Sequence, residues 1–90
     1  MKPRITISLT IDGELEVHLN ESGRDLLVKE LQHLSEDSDH FHFGPEEAGG
    51  EVPTQTYPYR DDHKIVGWGK VLFRPDKWDA QYHPHVLKAK

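Results

Sequence analysis

The sequence predicts an α+β fold in which a mostly antiparallel sheet of about four strands carries one amphipathic helix on one face, in the order β-β-α-β-β. Two alternating apolar runs flank Asp12-Gly13, a strong signal for a β-hairpin with a type I′ turn. A helical apolar pattern follows, and another apolar run lies near the C-terminal end. We expect the 90 residues to form a single domain, 1–90, with a modest core.

The predicted hairpin has one apolar and one polar face. Seven side chains share the apolar face: Ile5, Ile7, Leu9, Ile11, Leu15, Val17 and Leu19. We expect this face to be buried, because a half-buried strand turns its apolar side toward the core. The opposite sheet face is expected to be partly open, and its candidate residues are Thr6, Ser8, Thr10, Glu16, His18, His40 and His42.

The residues after the hairpin are predicted to form the helix. Asn20 or Ser22 can cap it, because both side chains can accept a hydrogen bond from a free backbone N–H of the first turn. Leu27, Leu31 and Leu34 then fall at i, i+4 and i+7. This spacing indicates a helix of about 12 to 14 residues with one apolar stripe facing the sheet.

The third strand is predicted at His40-Phe41-His42-Phe43, with the aromatic rings on one side and the imidazoles on the other. A long loop, about 44–63, follows and contains Gly49-Gly50, Pro53 and Pro58. Loops of this length are uncommon in small domains unless they are functional or disordered. The loop is therefore the first place to look for a functional site.

The last strand is predicted over residues 64–73, with Trp68 in the core. Gly67 and Gly69 indicate a bulge or the close approach of a large ring. No reliable element is predicted after Arg74-Pro75. We expect a loose C-terminal tail at about 80–90.

Composition argues against several classes of function. Sixteen acidic residues against eleven Lys and Arg give a net charge of −5, which disfavours binding to nucleic acid or to an anionic membrane surface. The absence of cysteine excludes disulfides and thiolate zinc sites. No signal-peptide pattern or long apolar run is present, so we expect a soluble cytoplasmic protein.

Catalytic and metal sites find little support in the residue pattern. His40 and His42 share a strand face, but a catalytic zinc site needs a third protein ligand, and no residue has the spacing typical of one. The adjacent pairs Glu46-Glu47 and Asp61-Asp62 lie in polar loops, where nothing would separate their pKa values. We therefore predict no enzyme, no cofactor, no catalytic residue and no bound metal.

A protein-binding surface is the better hypothesis. Residues 30–59 contain no Lys or Arg but seven carboxylates, and the long loop also carries two tyrosines. Acidic surfaces with aromatic anchors suit a basic protein partner, because complementary charge speeds association and selects partners. The predicted partner-binding residues are Glu46, Glu47, Glu51, Tyr57, Tyr59, His40 and His42. Tyr57 and Tyr59 could alternatively fold the loop back onto the domain.

The order of motifs resembles the immunity protein 32 family of bacterial polymorphic toxin systems. The resemblance rests on a hairpin, a Leu-rich helix, His40-Phe41-His42-Phe43, Gly49-Gly50-Glu51-Val52 and an aromatic-containing strand near the end. It covers most of the chain, although Ala48 stands where the family pattern has Trp.

The resemblance implies a small cytoplasmic protein that binds and neutralises a cognate toxin domain without turnover. The acidic loop and the neighbouring sheet face would cover the toxin's active site, which would be basic in a nuclease. The chain would be a monomer or a weak homodimer. A self-associating or regulatory binding module is an alternative, and a small metal-dependent enzyme using His and carboxylate ligands is a less favoured one.

Overall fold

The computed structural model describes residues 2–88, which form an α+β fold. The α+β class is therefore confirmed, whereas the β-β-α-β-β order and the single four-stranded sheet were wrong. The strands are β1 (Ile5–Leu9), β2 (Leu15–Leu19), β3 (His40–Gly44), β4 (Val52–Pro53), β5 (Lys64–Ile65) and β6 (Gly69–Leu72). The helices are α1 (Glu21–Gln32) and α2 (Asp76–Tyr82), with short 3-10 helices at Glu46–Ala48 and Pro84–Lys88.

The hairpin sheet has the strand order β2-β1-β5 and is antiparallel throughout. The predicted hairpin is confirmed, with Ile5 opposite Leu19 and Leu9 opposite Leu15. Its turn is not of type I′, because Gly13, at φ 85°, is the residue with positive φ there and Asp12 has none. The N–H of Gly13 instead donates to the carbonyl of Thr10, as in a type I turn followed by a left-handed glycine.

The histidine sheet has the strand order β4-β3-β6, with β4 parallel and β6 antiparallel to β3. Residues 54 and 55, which follow β4, connect it to the hairpin sheet. The N–H of Thr54 donates to the carbonyl of Gly44 at 2.7 Å, and the N–H of Gln55 donates to that of Ile5 at 2.8 Å. The two sheets therefore share one hydrogen-bonded strip of backbone.

The core lies where the two sheets and α1 meet. Ile5, Phe41 and Val52 are buried there, with 1%, 3% and 1% of their surface exposed. Six half-buried side chains pack around them: Ile7, Leu26, Leu27, Leu34, Phe43 and Val71. A core this small stabilises the chain only modestly, as expected for its length.

Asn20 is the predicted cap of α1 and also anchors the N-terminal residues. Its Oδ1 accepts hydrogen bonds from the N–H of Gly23 at 2.7 Å and of Arg4 at 2.8 Å. Its Nδ2 donates to the carbonyl of Lys2 at 3.0 Å. Because Asn20 is buried, these bonds satisfy nearly all of its polar groups and fix the start of the helix.

The single strand predicted over residues 64–73 was wrong. The chain adds β5 to the hairpin sheet, crosses through residues 66–68, and adds β6 to the histidine sheet. Gly69 sits against the ring of Phe43, which confirms the predicted close approach of a large ring. Around Trp78 the chain forms α2 and the 3-10 helix, and residues 89 and 90 of the predicted tail lie outside the described residues.

The molecule is thin for its length. Its radius of gyration is 15.1 Å, against about 12 Å for a typical globular chain of this size. The principal extents are 42 × 31 × 22 Å, so much of each sheet face lies near solvent. Within residues 2–88, no helix has the length and apolar character needed to cross a bilayer.

Candidate binding surfaces

The hairpin sheet buries its polar face and exposes the β2 half of its apolar face, whereas the predicted burial of the apolar face holds only for β1. Thr6 and Ser8 are fully buried, and Glu16 and His18 are half-buried. On the other face, the β2 residues Leu15, Val17 and Leu19 remain 58%, 45% and 39% exposed. The apolar face is covered only near Ile5, where α1 and the histidine sheet complete the core.

Residues 54–63, here called the covering segment, bury the polar face. Nε2 of Gln55 donates to Oγ1 of Thr6 at 2.6 Å. The ring of Tyr59 stacks on that of His18, with centroids 4.0 Å apart and planes 11° apart. Residues of about 44–63 were expected to form one functional loop. The first part of this range instead forms a 3-10 turn and β4, and the last part covers the polar face of the hairpin sheet. Tyr59 therefore folds this segment back onto the domain, which was the alternative interpretation.

A small polar cluster lies beneath the covering segment. Oε1 of Glu16 is 3.4 Å from Nε2 of His18 and 3.9 Å from Nδ1 of His63. The side chain of His63 is 6% exposed. The Oγ of Ser8 and the Nδ1 atoms of both histidines are buried without a described hydrogen-bond partner. The cluster is therefore polar but only partly satisfied.

The outer face of the histidine sheet carries the imidazoles, as predicted. Phe41 and Phe43 point into the core, while His40 and His42 point outward and meet edge to face at 5.1 Å. On the neighbouring strand, Lys70 lies opposite His42 and Leu72 opposite His40. This face remains accessible in the described part of the chain.

Trp68 lies on this outer face, so its predicted core position was wrong. Its indole stacks on the imidazole of His42, with centroids 5.2 Å apart and planes 18° apart. It also covers the backbone of Gly44, where any Cβ would clash with the indole. Trp68 lies in residues 66–68, between β5 of one sheet and β6 of the other, and 52% of its surface is exposed.

A row of rings and charges continues from the histidines to α2. Nδ1 of His40 lies 2.8 Å from Oδ1 of Asp39, whose Oδ2 accepts a hydrogen bond from Nη1 of Arg74 at 3.2 Å. The guanidinium of Arg74 lies 4.4 Å from the ring centroid of Trp78. Trp78 in turn stacks on His83 at 5.2 Å. We name this surface, from Trp68 through His42, His40, Asp39 and Arg74 to Trp78, the ring face.

Three of the seven carboxylates in residues 30–59, the base-free window, form ion pairs with Lys or Arg from the ends of the chain. Ion pairs join Glu46 to Lys2 at 3.0 Å and Glu36 to Lys77 at 3.7 Å, and Asp39 is paired with Arg74. These pairs are exposed and contribute little stability. They nevertheless reduce the acidity that the sequence pattern indicated. None of the ion pairs among residues 2–88 includes Glu47, so this carboxylate stays available to a partner.

Two of these acids have lowered pKa values for local reasons. Oε1 of Glu51 accepts a hydrogen bond from the N–H of His42 at 2.7 Å, and this bond is the main cause that holds the pKa of Glu51 below its ordinary value. The hydrogen bond to His40 likewise lowers the pKa of Asp39, with Arg74 contributing. Both carboxylates therefore stay ionised beside the two histidines at neutral pH.

The predicted partner-binding residues divide between two places. His40, His42 and Glu51 contact one another on the histidine sheet, and Glu46 and Glu47 form the 3-10 turn between β3 and β4. Tyr59 lies on the polar face of the hairpin sheet, and Tyr57 precedes it with 76% of its surface exposed. Trp78 was already an exposed aromatic candidate in the sequence, whereas the prediction missed Trp68 and Arg74, although the pair of glycines around Trp68 was a usable signal.

The described residues offer no group of side chains suited to a metal site. Nowhere in residues 2–88 do three His, Asp or Glu side chains converge in a way that could hold a metal ion. A cleft of about 360 Å³ is lined by Lys2, Pro3, Arg4, Glu46, Pro53, Thr54 and Gln55. It contains one acid, already paired with Lys2, and no histidine.

Comparisons of this chain with protein-family models, curated proteins and solved structures found no match.

Proposed function

We propose that this chain is a non-catalytic protein-binding domain whose partner docks on the ring face. The half-exposed indole of Trp68, stacked flat on His42, carries this proposal. Tryptophan is enriched among the residues that dominate binding energy, because a large ring held in place loses little entropy when a partner covers it. The stack and the Gly44 backbone beneath hold Trp68 in one orientation before any partner arrives.

Glu47 and Glu51, which no ion pair among residues 2–88 includes, favour a basic segment of a polypeptide as the partner. Glu51 and Asp39 remain ionised beside the rings, and Glu47 lies on the turn that leads from β3 to β4. A Lys or Arg side chain of the partner could reach a carboxylate and an aromatic ring together, as Arg74 does between Asp39 and Trp78.

The motif resemblance supplies the class of partner. We propose that the chain acts as an immunity protein in the bacterial cytoplasm, where it binds a cognate toxin domain and occludes its basic, nuclease-type active site. His40-Phe41-His42-Phe43 and Glu51, on which the resemblance rests, lie on or beside the ring face. Binding would be stoichiometric, with the chain unchanged afterwards.

The test uses a toxin domain encoded next to this chain in a bacterial genome. We expect co-expression to restore growth, and the purified pair to bind with one-to-one stoichiometry in calorimetry. Trp68→Ala should weaken binding by about 30-fold or more, the scale of an anchor residue. Ile11→Ala is the matched control, because Ile11 is exposed but lies at the hairpin turn, away from the rings.

Charge is tested separately. Glu47→Lys should slow association and reduce its dependence on salt, with a smaller effect on dissociation. Tyr57→Ala should leave the affinity unchanged, since Tyr57 lies beyond the histidine sheet on the covering segment. A toxin domain that binds Trp68→Ala as tightly as the unmodified chain would show that the ring face is not the docking surface.

A further inference from the structure

The outer edge of the hairpin sheet is open along β2. The sheet order places β2 at one end, with β1 on its inner side. Hydrogen bonds from Asn20 to Arg4 and from Thr10 to Glu14 bracket the β1–β2 ladder. In an antiparallel pair these bonded positions recur every second residue, so Glu16 and His18 bond toward β1. The N–H and C=O groups of Leu15, Val17 and Leu19 consequently point away from the sheet.

These outward groups are unused in the described structure. No other segment within residues 2–88 hydrogen-bonds to the backbone of Leu15, Val17 or Leu19. Natural edge strands usually carry a Lys, a Pro or a bulge that prevents pairing with another chain. The β2 sequence, Leu-Glu-Val-His-Leu, has no Lys, Pro or bulge, its one acid, Glu16, is half-buried on the polar face, and its ladder with β1 is regular over all five residues.

A flank of α1 lies beside the apolar side of β2. Arg24 lines a shallow groove with Leu19, which places that flank of the helix beside β2. Val28 and Leu31 are on the same flank at helical spacing and remain 45% and 46% exposed. Leu15, Val17 and Leu19 of β2, with Val28 and Leu31 of the neighbouring helix, are the exposed apolar side chains on this side of the molecule, which we name the β2 ledge. Exposed apolar patches mark interaction sites.

We infer that β2 pairs antiparallel with β2 of a second copy of this chain, about a two-fold axis through Val17. In this register Val17 lies opposite the partner's Val17, and Leu15 lies opposite the partner's Leu19. The residues that face each other are those with free outward backbone groups, so each such group finds a partner. The two hairpin sheets then form one continuous six-stranded sheet.

The side chains of β2 are self-complementary in this register. On one face, leucines meet leucines and valine meets valine, which joins the two β2 ledges into one apolar surface. On the other face, Glu16 lies opposite the partner's His18, a carboxylate opposite an imidazole. A shift by two residues in one direction would place Glu16 opposite the partner's Glu16, which like charge disfavours, and a shift in the other direction would remove the Glu16–His18 pairing. The edge of β2 is therefore complementary to β2 of a second copy of this chain.

The dimer is independent of the proposed toxin binding. Pairing through β2 uses the hairpin sheet, while Trp68 and the ring face lie on the histidine sheet. Each dimer would present two ring faces. Failure of the toxin-binding tests would therefore leave this inference standing, and the reverse also holds.

The register can be tested by cross-linking, because the chain has no cysteine. Val17→Cys should form a disulfide-linked dimer under mild oxidation, since its Cα would lie about 5.5 Å from the partner's. Leu15→Cys alone should not, since its symmetry mate would be about 13 Å away along the strand. Mixing Leu15→Cys with Leu19→Cys chains should restore cross-linking. Ile11→Cys is the exposed control that should not form the cross-link, because Ile11 lies outside β2.

Sedimentation at several concentrations tests the same pairing without a new bond. The unmodified chain should self-associate reversibly. Val17→Pro should weaken the dimer by about tenfold or more, because it removes an outward N–H that the monomer does not use. Leu72→Ser, an exposed apolar change on the histidine sheet, should have no effect. A strictly monomeric chain, or cross-linking of Val17→Cys no faster than that of Ile11→Cys, would overturn the inference.

Discussion

The two sheets of this protein share an alternating apolar–polar pattern but bury opposite faces of it. In the histidine sheet, Phe41 and Phe43 face the core and the histidines face outward, as the alternation predicts. In the hairpin sheet, the Thr and Ser side chains are buried while much of the apolar face of β2 is exposed. Alternation therefore identifies which residues share a face, but the covering of that face depends on distant parts of the chain.

The covering segment is the reason for the difference. It crosses from β4 to β5 on the polar side of the hairpin sheet and brings matching polar groups, Gln55 to Thr6 and Tyr59 to His18. The helix, by contrast, is centred on the junction of the two sheets and reaches only part of the apolar face of the hairpin sheet. Four experiments can break or sharpen this comparison, and they are ordered here by expected effect.

The largest effect on stability is expected when apolar side chains are truncated, one in each sheet. Phe41→Ala should lower the free energy of unfolding by about 3–5 kcal/mol, because it leaves a cavity in the small core. Leu15→Ala should change it by about 0.5 kcal/mol or less, since Leu15 is largely exposed. Urea denaturation at one low protein concentration measures both. Equal losses would mean that the hairpin sheet buries its apolar face after all.

The next largest effect on stability is expected at Gly44, whose backbone lies under the indole of Trp68. Gly44→Ala should destabilise the protein by about 1–3 kcal/mol and shift the tryptophan fluorescence, because the added methyl group displaces the indole from the strand. Gly67→Ala is the matched control, since a Cβ at that position meets no neighbour. If the fluorescence of Gly44→Ala were unchanged, Trp68 would not rest on this backbone.

Two substitutions on the buried polar face should have opposite signs. Thr6→Val keeps the shape of the side chain but leaves the amide of Gln55 without its acceptor, which should cost about 1 kcal/mol. Ser8→Ala should be neutral or stabilise by up to about 1 kcal/mol, because its buried hydroxyl has no described partner. Thermal unfolding measures the pair. Equal destabilisation by both would argue that Ser8 is satisfied by an ordered water.

The smallest effect is expected in the dependence of folding stability on acidic pH. The folded pKa of Glu51 lies below its ordinary value of 4.5, so its stabilising hydrogen bond to the N–H of His42 is fully present above that value. The stabilisation should be lost as the pH falls through the lower folded pKa. Glu51→Gln should flatten this part of the stability curve, and a carbon-detected NMR titration should locate the pKa directly. A midpoint at or above 4.5 would contradict the hydrogen bond.

Local signals in the sequence predicted the local features of the fold. The hairpin, the Asn20 cap, the 12-residue helix and the facing of His40 and His42 followed from spacing and capping chemistry alone. The division of residues 64–73 between two sheets did not, because each half is only two to four residues long and its pairing depends on strands far away in sequence.

The candidate surface was predicted only in part. The imidazoles of His40 and His42 were placed correctly, but Trp68 was assigned to the core because it lies within an apolar run. The surface formed by the base-free window is less acidic than the sequence indicated, because Lys2, Arg74 and Lys77 from the two ends of the chain form ion pairs with its carboxylates. Such long-range pairing leaves no trace in local composition.

The bonds of Asn20 have a practical consequence for handling this protein. One amide side chain holds the backbone of Lys2 and Arg4 and the first turn of α1 together, and Lys2 also reaches Glu46. A purification tag fused directly before Lys2 would pull on the helix cap and on the turn that carries Glu47. Binding measurements should therefore use protein from which any tag before Lys2 has been removed.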